Sequence, residues 1–194
     1  MYAQLGDTQA CFDNARALIE KSSNTELQAL AALAAASVTD DAQEKIDWLS
    51  YAEKSGGTAV KRGLASAYAQ LAMSQTGAAR TSAAERSIQY YKEIISSGYY
   101  SEADMINYSM ALHLNGQLGN AIQVLEQILP EYSEDYRVKM YLAFYTFEAG
   151  DNPAASDYCQ SALEAWRRDM SPNREPESSE NIQKLLALAE KFGL

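Results

Sequence analysis

Histidine occurs once in this 194-residue sequence, cysteine twice, proline four times and glycine only ten times. With His113 as the single imidazole and no cysteine pair at ligand spacing, a zinc site has no basis. Serine or cysteine catalysis needs a base beside the nucleophile, and His113 alone would have to supply it. It reads instead as an ordinary polar or groove-facing helix residue. Cys11 and Cys159 are far apart and form no disulfide framework, which leaves the compartment open. They read as small buried hydrophobes on helices. No apolar run reaches the ~18 residues of a membrane span, and the most apolar one, Leu27 to Val38, falls well short. Basic residues are also in short supply, 16 against 26 acidic for a net charge of −10, and they are dispersed. That disfavours a phosphate-binding face for nucleic acid and docking on anionic lipid. No glycine-rich phosphate loop is present, and Gly56-Gly57 reads as a lone turn. No catalytic residue, no metal and no cofactor is expected.

What the sequence does have is alanine and leucine, the residues that cost least to place in a helix. Turn signals then recur at a fixed interval. From Gly6 to Asp40, from Ser82 to Gly116 and from Gly116 to Gly150 the step is 34 residues, and from Asp40 to Ser82 it is 42. The longer step contains Ser74 to Arg80, which reads as an extended turn. Ser23 with Glu26, and Ser82 with Glu85, match the capping-box pattern at helix starts. Asn152-Pro153 pairs an N-cap with a proline at the first helical position.

Inside the period, large and small residues alternate in a particular order. From Glu102 the sequence places Met105, Tyr108, Ser109, Leu112, Gly116, Ala121, Leu125 and Ile128; from Tyr136 it places Leu142, Ala143, Gly150, Ala155 and Ala162. Leu64-Ala65, Tyr68 and Ala52 fit the same order earlier in the chain. This arrangement resembles the tetratricopeptide repeat (TPR), a helix pair of 34 residues. Small residues let two antiparallel helices approach, and large ones fill the space beside them. Departures stand at Lys139, Thr146, Cys159, Lys45, Ser87 and Ile94, and at Ile128, which fills a position where the family has a small residue; the proline that closes a repeat is missing.

The resemblance implies an all-α fold, a right-handed α-α superhelix (solenoid) of antiparallel helix pairs with a C-terminal capping helix. It places TPR-like repeats over 1–166, a polar linker over 167–180 and an amphipathic helix over 181–194, where Ile182, Leu185, Leu186, Ala189 and Phe192 recur at helical spacing. That last helix is expected to cap the stack, with occupation of the groove as the alternative. Tyr2 and Gly6 fall mid-repeat, so the partner of the first full helix is expected upstream, in a longer protein or in an assembly covering this end.

In such stacks the first helix of each pair lines a concave groove. The positions that face it hold Ile106, Met110 and His113 in one repeat and Arg137, Met140, Phe144 and Phe147 in the next. Family members that clamp a peptide carboxylate use lysine, asparagine and arginine at several of these places, so carboxylate clamping is disfavoured. An apolar groove for a protein or peptide segment, including another part of its own polypeptide, is expected instead. The implied role is a non-catalytic protein-interaction scaffold. The segment Glu134 to Phe144 also resembles the repeat-containing C-terminal region of Firmicutes serine/threonine protein kinases. This gives the alternative of a regulatory or sensor tail of a larger signalling enzyme, although no kinase motif lies in the chain itself.

Overall fold

A computed structural model of the protein describes residues 8–53 and 57–194. Among the described residues there are ten helices and no strand. In order they are α1 (Thr8–Lys21), α2 (Thr25–Ala36), α3 (Ala42–Ala52), α4 (Thr58–Ser74), α5 (Gly77–Ser96), α6 (Glu102–Leu114), α7 (Leu118–Ile128), α8 (Tyr136–Glu148), α9 (Asn152–Arg168) and α10 (Glu180–Phe192). None is long and apolar enough to cross a membrane. The expectations placed on Tyr2, Gly6 and Gly56 lie outside the described residues.

The helices fall into two compact units, Met1–Asn115 and Gly116–Leu194. In the first, each helix from α1 to α5 packs on its successor, and α4 also touches α2 and α6. Small residues occur where α4 and α5 meet. Ala65, Ala72 and Ala84 are wholly buried, and the buried Ser87 hydroxyl donates to the Ala65 carbonyl at 2.8 Å. Ser87 is small enough for this close approach and satisfies its hydroxyl across the interface. Gly63 does the same service between α3 and α4, since a Cβ there would stand 2.8 Å from a methyl of Leu49.

Arg62 on α4 ties the N-terminus of α6. Its Nε donates to both Asp104 carboxylate oxygens at 2.9 Å, and its Nη2 donates to the Tyr99 carbonyl at 2.7 Å. Asp104 in turn closes a capping box with Ser101, accepting from the Ser101 amide while the Ser101 hydroxyl accepts from its own.

In the second unit α7, α8, α9 and α10 pack in succession. The core joins Tyr136, Met140 and Ala143 of α8, Cys159, Ala162, Leu163 and Trp166 of α9, and Ile182, Leu185, Leu188 and Ala189 of α10. Burying Ile182, Leu185 and Leu188 contributes about 2 kcal/mol each, so α10 belongs to this core. The segment joining α9 to α10 is polar but tied down. The Trp166 indole N–H donates to the Glu175 carbonyl at 2.9 Å, the Glu175 amide donates to the Tyr136 hydroxyl at 3.0 Å, and the Arg174 guanidinium lies 5.0 Å from the Trp166 ring centre.

Three sequence expectations about helix starts need correction. Ser82 lies inside α5, which begins at Gly77 because Gly77 to Ala84 offers mostly small residues that extend the helix, and the turn before it is only Gln75-Thr76. At α2 the cap is Asn24, not Ser23; its side chain accepts from the Glu26 and Leu27 amides at 2.9 and 3.2 Å. At α9 the cap is Asp151, not Asn152, and its carboxylate accepts from the Ala154 amide at 3.2 Å. In the last two cases neighbouring residues with equal capping chemistry compete, and the shift is one position.

Candidate functional site

Helix α8 carries four of the seven residues expected to face a groove, and the structure separates them. Asp135 caps this helix by accepting from the Arg137 amide at 2.7 Å, and its carboxylate also takes the Arg137 guanidinium through Nε at 3.0 Å and through Nη2. Arg137 is therefore held back on its own helix start. Met140 points with Tyr136 and Ala143 into the core and is 0% exposed, so it lines no open wall of this unit. Met140 is thus a core residue and not the groove residue its spacing suggested: in this helix, residues 136, 140 and 143 share the stripe that meets α9 and α10.

Phe144 and Phe147 are the two apolar ones that remain at a surface. Both are half-buried against the core, and both line a cleft of about 350 Å3 between α8 and α10. Its other walls are Glu148 from α8 and Lys184, Ala187, Leu188 and Lys191 from α10. The Phe192 ring stands 5.9 Å from Phe147 at 84°, an edge-to-face pair, and the Lys191 ammonium sits 4.9 Å from the Phe147 ring centre. Tyr141 meets Phe144 edge-on at 6.2 Å. Lys184 is paired with Glu180 one turn earlier at 2.6 Å, an exposed contact of little energy. The cleft thus has an aromatic floor, a small-residue wall at the exposed Ala187 and two ammonium groups at its rim.

No family model and no curated protein matches the chain.

Ile106, Met110 and His113 lie on α6 in the other unit. Ile106 is 5% exposed and belongs to the core, so it too is corrected; Met110 and His113 are half-buried. The two halves of the expected groove therefore have separate outcomes, one buried or half-buried along α6 and one concentrated at Phe144 and Phe147. Sequence reasoning did not assign Lys184, Ala187, Leu188 and Lys191 to a site. The signal was present, because 184, 187, 188 and 191 form one helical stripe beside the core stripe of α10.

The cleft can hold an apolar side chain against its phenyl rings and attract carboxylates at its rim. Among the described residues, no group of three or more histidine, cysteine, aspartate or glutamate side chains is placed to hold a metal. Cys159 is buried beneath α10, and burial pushes its thiol up to about 11, which leaves it protonated and unreactive at neutral pH.

Proposed function

We propose that the chain is a non-catalytic protein-interaction module, a TPR-like superhelix of antiparallel helix pairs, and that it holds a peptide segment in the cleft between α8 and α10. The observation that carries the binding site is the pair of half-buried rings, Phe144 and Phe147, set between two helices with lysines at the rim. The occupant is a segment with an aliphatic or aromatic anchor flanked by acidic residues, since the Lys191 ammonium stands over the Phe147 ring at the rim and Lys184 is held only by an exposed pair with Glu180. The superhelical reading is supported by helices packed on their successors and by contacts between every second helix in the first unit, α2 with α4 and α4 with α6. Helix α10 fits the part of a terminal cap, offering its apolar stripe to the last pair and its charged residues to water.

The test uses the whole chain and a set of synthetic peptides in which a leucine or phenylalanine anchor is flanked by two glutamates. Backbone amide signals of α8 and α10 are followed by NMR, and affinity by calorimetry. Ala187→Trp fills the cleft from an exposed position and is expected to weaken binding about tenfold, ~1.4 kcal/mol, with an unchanged melting temperature. Met140→Ala, by contrast, lowers the melting temperature because it opens a cavity in the core. If none of the acidic peptides shifts the α8 and α10 signals at millimolar concentration, the proposal is wrong.

A further inference from the structure

Far from that cleft in sequence, and independent of the reading just given, the first unit contains a cavity of about 310 Å3 between α1 and α3. Two of its walls are aromatic. Trp48 is backed by Phe12, stacked at 5.3 Å and 28°, and Tyr51 leans against it at 6.2 Å while remaining 62% exposed. The positions that line the cavity recur at helical spacing, 16 and 20 on α1 and 44, 47, 48 and 51 on α3, so both helices offer a full face to it. Three carboxylates, Glu20, Glu44 and Asp47, stand around the opening. Among the described residues none of the three has a cation in ion-pair contact. Glu44 accepts from the Thr39 hydroxyl, and Asp47 accepts from the Gln43 amide at 2.9 Å.

The cavity already displays the chemistry it recognises. The Arg16 guanidinium lies over the Trp48 ring, 5.7 Å from its centre. Among the described residues its one ion pair is with Asp13, three residues earlier at 3.8 Å, where both side chains are 61% exposed. An exposed pair of that length holds its members weakly. The resident guanidinium is therefore loosely held on an aromatic face, within a ring of carboxylates that it neutralises only in part. A guanidinium suits such a place better than an ammonium: its planar, weakly hydrated surface stacks on indole, and its fork of N–H donors matches a carboxylate in a bidentate fashion.

We propose that this cavity is a receptor for the arginine side chain of a partner polypeptide, which seats on Trp48 beside Tyr51 and Asp47 and takes the place of Arg16. Exchange of one guanidinium for another leaves the aromatic stacking intact. The incoming arginine adds contact with Glu20, Glu44 and Asp47, which among the described residues are in ion-pair contact with no cation, Arg16 included. Arg16 thus acts as a plug that sets the affinity.

The protein has two tryptophans, so the indole N–H signals give both a probe and a reference. Trp48 reports the cavity, and Trp166, in the other unit, reports on an unrelated site. The whole chain is titrated with a blocked arginine-glycine pentapeptide, with its lysine-glycine counterpart and with tetramethylammonium. The arginine peptide is expected to shift the Trp48 signal saturably in the millimolar range and to leave Trp166 unmoved, with the other two cations binding at least about fivefold more weakly. Arg16→Ala removes the plug and is expected to tighten binding about fivefold, while Tyr51→Ala and Asp47→Asn each weaken it by a similar factor. All three substitutions fall on exposed side chains, and unchanged melting temperatures confirm that the fold is kept. An unmoved Trp48 signal overturns the proposal. Equal binding of the lysine peptide or tetramethylammonium overturns it in favour of a general cation site, and weaker binding by Arg16→Ala overturns it too, because Arg16 is then a wall of the site and not its plug.

Discussion

Asp104 is 3% exposed and charged, a combination that proteins tolerate only with compensation. Burial alone raises its pKa. The hydrogen bonds from Arg62 and Ser101, with the guanidinium charge of Arg62, outweigh that and hold the carboxyl below its ordinary value. A carboxylate depressed in the folded state stabilises the fold above the pKa of the unfolded chain, about 4, and that contribution is lost as pH falls through the folded value. Asp104→Asn is expected to cost about 2 kcal/mol at pH 7 in urea unfolding, through loss of the ion pair and of half the capping box. The cost stays below that of breaking a fully buried pair because the Arg62 side chain is 42% exposed and can rehydrate. Below about pH 4 the difference between the two proteins is expected to shrink. None of this was legible in the sequence, where residues 62 and 104 stand 42 apart in a chain with many carboxylates. The alanines and both cysteines were legible, because small apolar residues on a helical stripe have few places to go but inward: Ala121, Ala143, Ala155 and Ala162 are all wholly buried, and Cys11 and Cys159 are buried and free.

At the scale of the element, the turns were easier to read than the caps. Gly150 closes α8 with φ +84°, its own amide donating to the Phe147 carbonyl at 3.0 Å and the Asp151 amide to the Thr146 carbonyl at 2.9 Å. Only glycine adopts that backbone without strain, and the interval from Gly116 to Gly150 is what revealed the period. Gly150→Ala is expected to destabilise the protein by about 1 kcal/mol in thermal unfolding, although a Cβ there meets no neighbour within 4 Å, so the cost is conformational and not steric. The capping boxes failed for a different reason. Ser-x-x-Glu is a short pattern, and Ser82-Ala83-Ala84-Glu85 occurs where an alanine-rich stretch simply continues the helix. The box that does form, Ser101 with Asp104, uses aspartate at the position where the pattern calls for glutamate or glutamine.

Over the whole molecule, helical content and successive packing followed from composition and period, whereas the division at Gly116 did not. That glycine has φ +74° and was read as a turn inside one repeat, yet it opens the second compact unit. The difference is physical, since the period records the local chemistry of turns and the division depends on how many long-range neighbours each helix gathers. The second unit has its own core of aromatic, aliphatic and alanine side chains from three helices. Residues 116–194 expressed alone are therefore expected to give a helical circular-dichroism spectrum and a single cooperative thermal transition; a broad, non-cooperative melt counts against an autonomous unit.

The bond between the Trp166 indole and the Glu175 carbonyl, with Arg174 laid over the ring, turns one chromophore into a gauge of the last helix. Glu175 is also fastened to Tyr136, and its carboxylate accepts from Ser179 and Asn181 at the threshold of α10. Anything that pries α10 from its seat must pull on this strap, rearrange the charge above the indole and admit water to it. Detachment of the final helix thus announces itself in the emission colour of the protein, without any label being added.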